Sequence, residues 1–552
     1  MSAPVNEIAT PAHGREPDGA RAAVSHGAGD SAIAFAASHV ALKYRPDIDG
    51  LRAVAVLAVV AFHAFPDLLP GGFVGVDIFF VISGYLISGI ILQQIAAQTF
   101  TIGDFYARRI RRIFPSLVVV LLACLAAGWY LLLPQEFSEL GKHIAAGAGF
   151  SSNVVLWQES GYFDVSSDTK PLLHLWSLGV EEQFYFFWPA VLYVAWKRRW
   201  NMLATTLVLL AASFVLNLVF IGIKPVATFY LPVTRTWELL IGAGLACAMR
   251  SGTLATPHGV RADATAALGV ACIVAAVALL DKYAVFPGWW ALLPTIGAGL
   301  LIAAGPHNLV ARHLLSRRAM VWFGLISFPL YLWHWPLLAF ARIVEGGLPP
   351  AGVRAAAALA SIVLAWLSFE FVEKKLRFRA GAQRPLFAAV VVLLVVGLGM
   401  RWHVLEPRHS GAQINAVAAA VADWRYPPAN FSRLEVQGER FYERAGGAPG
   451  RVVFIGDSIT EQYAVRVDRL LTEQPQRTRT TVFAATGGCP PIPGVVLDRA
   501  KECQPRLAAA TSRALADDVD TVVVGACWYC YFHAEGPVSP ADEYHEIRRA
   551  HV

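Results

Sequence analysis

Residues 73–95 read FVGVDIFFVISGYLISGIILQQI, and residues 108–112, a short distance further on, read RRIRR. The first stretch is long enough to cross the ~30 Å hydrocarbon core of a bilayer as a helix, and Asp77 is its only charged residue. A cluster of arginines soon after an apolar run is typical of a cytoplasmic loop. The two stretches therefore predict a membrane-spanning helix that ends on the cytoplasmic side.

The composition of the whole chain agrees with a membrane protein. Of its 552 residues, 56% are hydrophobic and only 16% are charged, whereas soluble domains carry about 25% charged residues. The mean hydropathy is +0.49. The net charge of +6 comes from short Lys and Arg clusters between apolar runs, a pattern that indicates membrane topology rather than nucleic-acid binding.

The apolar runs predict a polytopic α-helical protein with about eleven transmembrane helices. Basic clusters follow the even-numbered runs and the opposite loops are poor in Lys and Arg, which predicts a cytoplasmic N-terminus and an extracytoplasmic C-terminal region. The short apolar segment 143–157 is interpreted as re-entrant or interfacial, because counting it as a span would invert every later loop. The predicted spans are 51–69, 73–95, 114–133, 177–196, 202–222, 235–249, 264–280, 289–305, 320–341, 352–373 and 385–403.

The two ends of the chain differ from this apolar middle. Residues 1–44 are rich in Ala, Gly, His and Pro and predict a disordered cytoplasmic tail without a signal peptide. Residues 406–449 are polar and are interpreted as a periplasmic linker with helical pieces. In residues 450–552 short apolar runs alternate with helical stretches, which predicts a partial parallel α/β sheet. The predicted strands are 452–455, 481–485 and 521–525.

Arg52 and His63 are candidates for chemistry inside the first predicted span. They are eleven positions apart, about three helical turns, so both side chains share one helix face. A cation near the cytoplasmic surface can hold a phosphate-bearing donor, and a neutral imidazole deeper in can act as a general base on a hydroxyl. The alternative is an arginine at lipid headgroups and a histidine packed between helices.

Further polar residues inside the spans are interpreted as support for this membrane site. A charged side chain in a span costs ~2.5–3.5 kcal/mol on insertion scales and is a functional candidate by default. Some of these residues are expected to make only interhelical hydrogen bonds. The candidates are Asp77, Ser83, His174, Glu181, Glu182 and His334, and Glu238 and Glu370 also lie within spans.

A series of motifs runs through the apolar part of the chain. They are YRPDIDGLRA at 44–53, His63, GVDIFFVISGYLI at 75–87, RRIRRIFP at 108–115, HLWSL at 174–178, EEQFY at 181–185, YLWHWP at 331–336 and FVEK at 371–374. Taken in order, these motifs resemble the acyltransferase-3 family of membrane acyltransferases. The resemblance implies a membrane domain over residues 45–380, followed by an additional transmembrane helix over 381–405. It also implies O-acylation of surface carbohydrates, with acetyl-CoA as the usual donor.

The resemblance also assigns roles to single residues in the membrane domain. The family's Arg-x10-His pattern maps onto Arg52 and His63, and its Arg-x-x-Arg pattern maps onto Arg109 and Arg112. The three arginines are then expected to bind or position the donor, and His63 to act in catalysis, either as a base or as a transient carrier of the acyl group. The charge distribution independently placed Arg109 and Arg112 on the cytoplasmic side, where acetyl-CoA is found.

The C-terminal part resembles the SGNH hydrolase-like domain that many such acyltransferases carry outside the membrane. Gly456-Asp457-Ser458 matches the first block of that fold, where the serine is the nucleophile and an oxyanion donor. Gly488, after Gly487, is a second oxyanion candidate. The third block usually offers an asparagine, but residues 525–528 read GACW, which puts part of the oxyanion hole in doubt.

The catalytic Asp and His of that domain are not found convincingly. Asp542 and His545 have the family's Asp-x-x-His spacing, but they follow the third strand too closely and lie in a stretch typical of an exposed helix. The expectation is therefore that the sequence ends before the true pair, and that the domain is truncated.

The cysteines of the C-terminal part predict one disulfide. An oxidising compartment favours such bonds, and we expect Cys489 to pair with Cys503. Cys527 and Cys530 have the spacing of a redox motif but do not open a helix in a thioredoxin-like unit, so they are interpreted as structural or unpaired. The spacing of the four cysteines does not favour zinc, and no metal site is predicted.

These observations predict an O-acetyltransferase of the bacterial inner membrane. It would move acetyl from cytoplasmic acetyl-CoA to a hydroxyl of an extracytoplasmic polysaccharide or lipid-linked glycan, such as lipopolysaccharide O-antigen, without a tightly bound cofactor. One alternative is a transporter of lipid-linked glycan, whose pathway the polar residues would line. The other is a membrane-anchored SGNH esterase, which would need fewer spans and the missing base.

Overall fold

The computed structural model describes residues 44–159, 167–281, 284–379, 381–408, 426–493 and 503–528. The predicted tail, apart from Tyr44, lies outside the described residues. So do Cys530, Asp542 and His545.

The membrane part is a bundle of helices joined by short loops. Its helices are α1 (Pro46–Ala64), α2 (Gly75–Ala96), α3 (Ile102–Leu131), α4 (Pro134–Ala148), α5 (Ser152–Glu159), α6 (Leu175–Lys197), α7 (Met202–Ile221), α8 (Pro225–Tyr230), α9 (Pro232–Arg250), α10 (Val260–Leu279), α11 (Leu292–Ala304), α12 (Arg318–Leu325), α13 (Ser327–Glu345), α14 (Ala351–Leu367), α15 (Lys374–Arg377) and α16 (Gln383–Arg401).

Every segment predicted as a transmembrane span overlaps helical structure, and the segment 320–341 covers two helices, α12 and α13. Within the described residues, six helices are long and apolar enough to cross a bilayer, or seven if α12 and α13 form one span. Those two helices meet at Ile326 with a bend of 66°. Other helices are shorter, as is α11, or carry several charges, as α6 and α9 do. The number of eleven spans therefore stays a prediction, as does the re-entrant path of segment 143–157, which forms parts of α4 and α5.

Close backbone contact between α2 and α9 holds the centre of the bundle together. A Cβ atom added at Gly84 would lie 1.8 Å from the carbonyl oxygen of Leu239, and one at Gly242 would lie 2.0 Å from that of Val81. Small residues allow helices in membranes to approach this closely. Any larger side chain at either glycine would push α2 away, and α2 carries one wall of the cavity described below.

The C-terminal part is a five-stranded sheet with two described helices. Its strands follow the order β1-β2-β4-β3-β5, in which β3 runs parallel to β4 and β5, and β2 runs antiparallel to β4. The three predicted strands are thus confirmed as β3, β4 and β5. The elements are β1 (Ser432–Val436), β2 (Glu439–Arg444), β3 (Ala448–Gly456), α17 (Ser458–Glu473), β4 (Arg479–Ala485), α18 (Cys503–Ala514) and β5 (Val519–Gly525).

The interpretation of residues 406–449 as a linker with helical pieces is wrong for its second half. Strands β1 and β2 form an antiparallel hairpin there and extend the sheet at its edge. Their sequence looked like a linker because most of their side chains are exposed or half-buried and polar. Phe441 is the exception, being fully buried in the core beneath the sheet.

The predicted disulfide between Cys489 and Cys503 is confirmed. It links the turn after β4 to the first residue of α18. Cys527 is also disulfide-bonded. Of the two interpretations given for it, structural or unpaired, the first therefore holds. The cysteines predicted within spans, Cys124, Cys247 and Cys272, are free thiols.

Candidate functional site

A cavity of about 860 Å³, including its opening, lies between α1, α2, α3, α6 and α13. Apolar side chains from α2 form much of its wall. The bend between α12 and α13 brings the first turn of α13 to its edge. Six of the residues predicted for the site line this one cavity, and they come from four different helices. They are Arg52, Ser83, Arg109, Arg112, Glu181 and Glu182.

Helical periodicity divides the RRIRR cluster between two faces of α3. Arg109 and Arg112 are three residues apart, so they lie side by side, and both line the cavity. The Arg109 guanidinium carbon lies 4.2 Å above the ring centre of Tyr185, and its Nε atom is buried without a hydrogen-bond partner in the described part of the chain. Arg108 instead donates to the side chain of Gln94 on the surface.

Two carboxylates share the cavity with these arginines. Glu181 accepts short hydrogen bonds from the hydroxyls of Ser83 and Tyr185. Glu182 has one buried oxygen, Oε1, to which no described residue donates. Arg52 is paired with Asp49, at 3.2 Å. Arg109 and Arg112 have no acidic partner within hydrogen-bonding distance among the described residues, so their guanidinium groups can bind an anionic ligand.

A pair of histidines lies beyond one end of the cavity. His63 of α1 and His334 of α13 are 3.0 Å apart, measured from Nδ1 of the first to Nε2 of the second. The Trp335 ring meets the His63 ring edge-on at 4.6 Å between centres. His174, just before α6, packs its ring 5.7 Å from that of His334. The structure thus brings together the three histidines that the sequence analysis selected.

The hydrogen bonds of the pair assign a tautomer to each neutral ring. His334 Nδ1 lies 2.7 Å from the carbonyl oxygen of Tyr331, and a carbonyl only accepts, so this nitrogen carries the proton. His334 Nε2 then accepts from His63 Nδ1. His63 Nε2 is left with a lone pair, and the side chain is half-buried rather than sealed. His63 is therefore arranged to take a proton from a neighbouring group.

Ser177 and Tyr331 connect the cavity to the histidines. Both line the cavity, and their hydroxyl oxygens are 2.6 Å apart. The Tyr331 hydroxyl donates to the carbonyl oxygen of His174 at 2.8 Å. Both residues belong to the quoted family motifs, but neither was predicted as a site residue. An uncharged hydroxyl group in an apolar segment is a weaker indication of function than a titratable group.

Asp77 does not join the cavity, in contrast to its predicted role. Its carboxylate accepts a hydrogen bond of 3.0 Å from Arg235 of α9, and Arg235 also lies 3.3 Å from Glu238. All three side chains are at most 1% exposed. Asp77 therefore belongs to a separate buried ion cluster that ties α2 to α9. Arg235 lies within a predicted span, so its charge was the signal that the sequence analysis passed over.

Ser458 lies where the parallel strands end, at the start of α17. The preceding residue, Asp457, is buried and accepts two backbone hydrogen bonds of 2.9 Å, one from Ile459 and one from Cys527. The first caps α17, and the second joins the ends of β3 and β5. Residues 525–528, which lack the family's asparagine, are thus held to the Asp457 carboxylate through the N–H of Cys527.

The turn over residues 486–489 carries the second oxyanion candidate. Cys489 donates to the carbonyl oxygen of Thr486 at 3.1 Å, and Gly488 has φ +76°, a left-handed conformation that favours glycine. The Gly487 N–H is occupied, since it donates to Glu461 Oε1 at 2.9 Å. No described residue accepts from the Gly488 N–H, which leaves it available as an oxyanion donor.

Glu461 is a buried carboxyl group that the sequence analysis missed. Burial raises the pKa of Glu461, as does the negative charge of Asp457, while the N–H of Gly487 opposes them. A carboxyl group with a raised pKa destabilises the fold as the pH rises from its unfolded pKa through its folded one.

Replacing Glu461 with Gln should therefore raise the unfolding midpoint of the C-terminal part at pH 8 more than at pH 5. The amide oxygen still accepts from Gly487, while the buried charge is gone. Thermal unfolding of the full chain in detergent, followed at both pH values, measures this. Glu473→Gln, on the exposed end of the same helix, is the control, and an equal shift at both pH values would contradict the argument.

Comparison with known families agrees with this arrangement. Residues 45–370 match a family described as "Acyltransferase domain", which covers more than half of the chain and contains the cavity and the three histidines. The chain belongs to this acyltransferase family. Residues 428–551 of the chain match a second family, "SGNH domain (fused to AT3 domains)", so that domain begins before β1.

Two curated relatives are similar to this chain. Peptidoglycan O-acetyltransferase OatA of Listeria monocytogenes is 33% identical over 350 residues, covering 61% of this chain and 56% of the relative. O-acetyltransferase OatA of Staphylococcus aureus is 30% identical over 378 residues, covering 64% and 62%. The chain thus spans less than two thirds of the length of these relatives. No solved structure is significantly similar to it.

Proposed function

We propose that the chain is a membrane O-acetyltransferase that moves acetyl from cytoplasmic acetyl-CoA to a hydroxyl of an extracytoplasmic polysaccharide. The observation that carries this proposal is a single cavity with arginines at one end and a histidine pair behind the other. This arrangement suits an anionic donor at the arginine end and a proton acceptor beyond the other end. The family and the two relatives support the same activity.

The arginines suit the phosphates of coenzyme A. Phosphate groups form charge-assisted hydrogen bonds with guanidinium groups. Arg109 and Arg112 line the cavity without acidic partners of their own, and one buried nitrogen of Arg109 lacks a partner in the described ranges. These groups are the expected contacts of the donor, with Arg52 nearby on α1. The basic loops predict that this end faces the cytoplasm.

His63 is placed to act as the general base of the transfer. Its Nε2 atom takes the proton of an attacking hydroxyl, whose oxygen forms a bond to the acetyl carbonyl carbon. The bond from that carbon to sulfur breaks and coenzyme A leaves as a thiolate, to which the proton on His63 passes through water. The ester formed in this step is the acetyl source of the C-terminal domain. His334 keeps His63 in the required tautomer through the 3.0 Å hydrogen bond.

The C-terminal domain is proposed to complete the transfer to the glycan. Ser458 at the end of β3 is the expected nucleophile, and the Gly488 N–H is the expected oxyanion donor. This role requires the domain to lie outside the cytoplasm of a bacterial cell, as the charge distribution predicts. Asp542 and His545, which match the family's activating pair in spacing alone, lie outside the described residues.

The acceptor is proposed to be a polysaccharide of the cell surface. The Listeria relative is named for peptidoglycan, which favours a cell-wall glycan. Lipopolysaccharide O-antigen, the example given by the sequence analysis, remains a prediction. Both glycans offer sugar hydroxyls, so the chemistry at Ser458 is the same for either.

Replacing Arg109 and Arg112 with Gln, singly and together, should raise the KM for acetyl-CoA. A charged hydrogen bond contributes about 1.5–3 kcal/mol, so each loss should raise KM by roughly 10- to 100-fold. Steady-state kinetics of coenzyme A release measures this. Arg108→Gln is the matched control because that side chain bonds Gln94 outside the cavity; a rise of equal size in the control would contradict donor binding at this end.

Mass spectrometry of surface glycans tests the proposed function directly. The chain is expressed in a bacterial host that lacks the activity, and peptidoglycan and lipopolysaccharide fractions are analysed for acetyl groups. New acetyl esters are expected in one fraction. A loss of acetyl from a pre-acetylated glycan would favour the esterase instead, and a change in glycan export without new esters would favour the transporter.

A further inference from the structure

We infer that Tyr331 closes the donor cavity and limits the acyl group to two carbons. This inference rests on the proposed function, because it assumes that an acyl-CoA enters the cavity. It goes further by assigning the choice of acyl chain to the wall between the cavity and the histidines. Tyr331 and the neighbouring Phe79 are then the residues that set the specificity for acyl-chain length.

The lining residues give the cavity a long axis. On α2 it is lined from Val76 to Ile90, fourteen positions that span ~21 Å at the helical rise. On α6 it is lined from Ser177 to Tyr185, eight positions that span ~12 Å. Val76 and Ser177 lie at one end of these helical stretches, and Ile90 and Tyr185, the latter under Arg109, lie at the other.

Tyr331 stands at the end that is remote from the arginines. Its ring centre lies 5.4 Å from those of both His174 and His334, and 6.4 Å from that of Phe79. The side chain is therefore in contact with the cavity on one side and with the histidines on the other. An acyl group held by its coenzyme A phosphates must approach His63 past this ring.

Two hydrogen bonds made by the Tyr331 hydroxyl hold the ring in place. Ser177 pairs with it at 2.6 Å and the carbonyl oxygen of His174 accepts from it at 2.8 Å. The residue is only 9% exposed. A ring held in this way cannot turn aside without losing both bonds, so each methylene added to the acyl chain meets fixed atoms. A methylene in such a pocket changes selectivity by about 10- to 200-fold.

The test is competition among acetyl-CoA, propionyl-CoA and butyryl-CoA. The full chain in membranes receives an equimolar mixture, and mass spectrometry measures the ratio of the acyl esters formed on the glycan. Two variants, Tyr331→Leu and Phe79→Ala, enlarge the closed end. The control is Ile90→Ala on α2, which enlarges the same cavity at the arginine end.

The expected result is a rise of about tenfold or more in the ratio of butyryl to acetyl esters for both end-wall variants, with an unchanged ratio for Ile90→Ala. An unchanged ratio in the end-wall variants, or an equal rise in the control, overturns the inference. If both variants are inactive, calorimetric affinities of the purified variants for the three donors decide. Relative affinities identical to those of the native chain overturn it. A native chain that acylates nothing refutes the proposed function instead.

Discussion

Replacing His63 with Ala should lower acetyl transfer to the glycan by about 10²- to 10⁴-fold, the usual contribution of a general base. The structure gives the physical reason. His334 Nδ1 must donate to the Tyr331 carbonyl oxygen, which leaves His63 Nε2 as the free basic nitrogen of the pair. Mass spectrometry of the glycan from cells with native and variant chains, at matched protein levels, measures the loss.

Two further variants make the His63 experiment specific. His258→Ala removes an exposed histidine of the loop before α10 and should leave transfer at the native level. His334→Ala keeps the base but removes its orienting partner, so the loss should be smaller than for His63→Ala. Native transfer by His63→Ala would refute the assigned base while leaving the acetyltransferase function intact.

In the proposed mechanism the arginines bind a strongly anionic donor, and the histidine pair acts beyond the Tyr331 ring. Tyr331 and Ser177, whose hydroxyl oxygens are 2.6 Å apart, lie between the two groups. The proposed transfer therefore requires the acetyl group to pass this wall, which makes the wall part of the proposed catalytic arrangement.

Family motifs and helical periodicity together predicted much of this site. The family's Arg-x-x-Arg pattern already paired Arg109 with Arg112, and both line the cavity. The spacing of Arg52 and His63 likewise placed them at different depths of one helix. Titratable residues in apolar runs are rare; this property selected His63 and His334 within their predicted spans, and His174 immediately precedes another span.

Contacts between distant segments could not be predicted in the same way. Asp77 looked like a site residue because it is charged and lies in a span, but its partner Arg235 is 158 positions away. No local pattern shows which buried charges neutralise each other. Tyr331 was missed for a related reason, since its importance comes from the helices on either side. The hairpin of β1 and β2 was hidden by the polar composition of an exposed sheet edge.

Replacing Ser458 with Ala should abolish acetylation of the glycan while the membrane domain still consumes donor. Ser458 is the proposed nucleophile of the final transfer, so its removal leaves that transfer without the group that accepts acetyl. Ser458 lies more than fifty residues beyond α16, the last helix of the membrane part, so the donor cavity should be unaffected. Release of coenzyme A from acetyl-CoA should therefore continue by slow transfer to water.

The Ser458 experiment combines two measurements on the same membranes. Coenzyme A release reports the membrane domain, and acetyl esters on the glycan report the final transfer. Ser512→Ala on α18, an exposed serine that bonds Gln437, is the matched control and should change neither. If Ser458→Ala acetylates the glycan at the native rate, the membrane domain delivers acetyl directly and the C-terminal domain has another role. If it stops both reactions, the two domains are coupled, and donor turnover requires an acceptor serine.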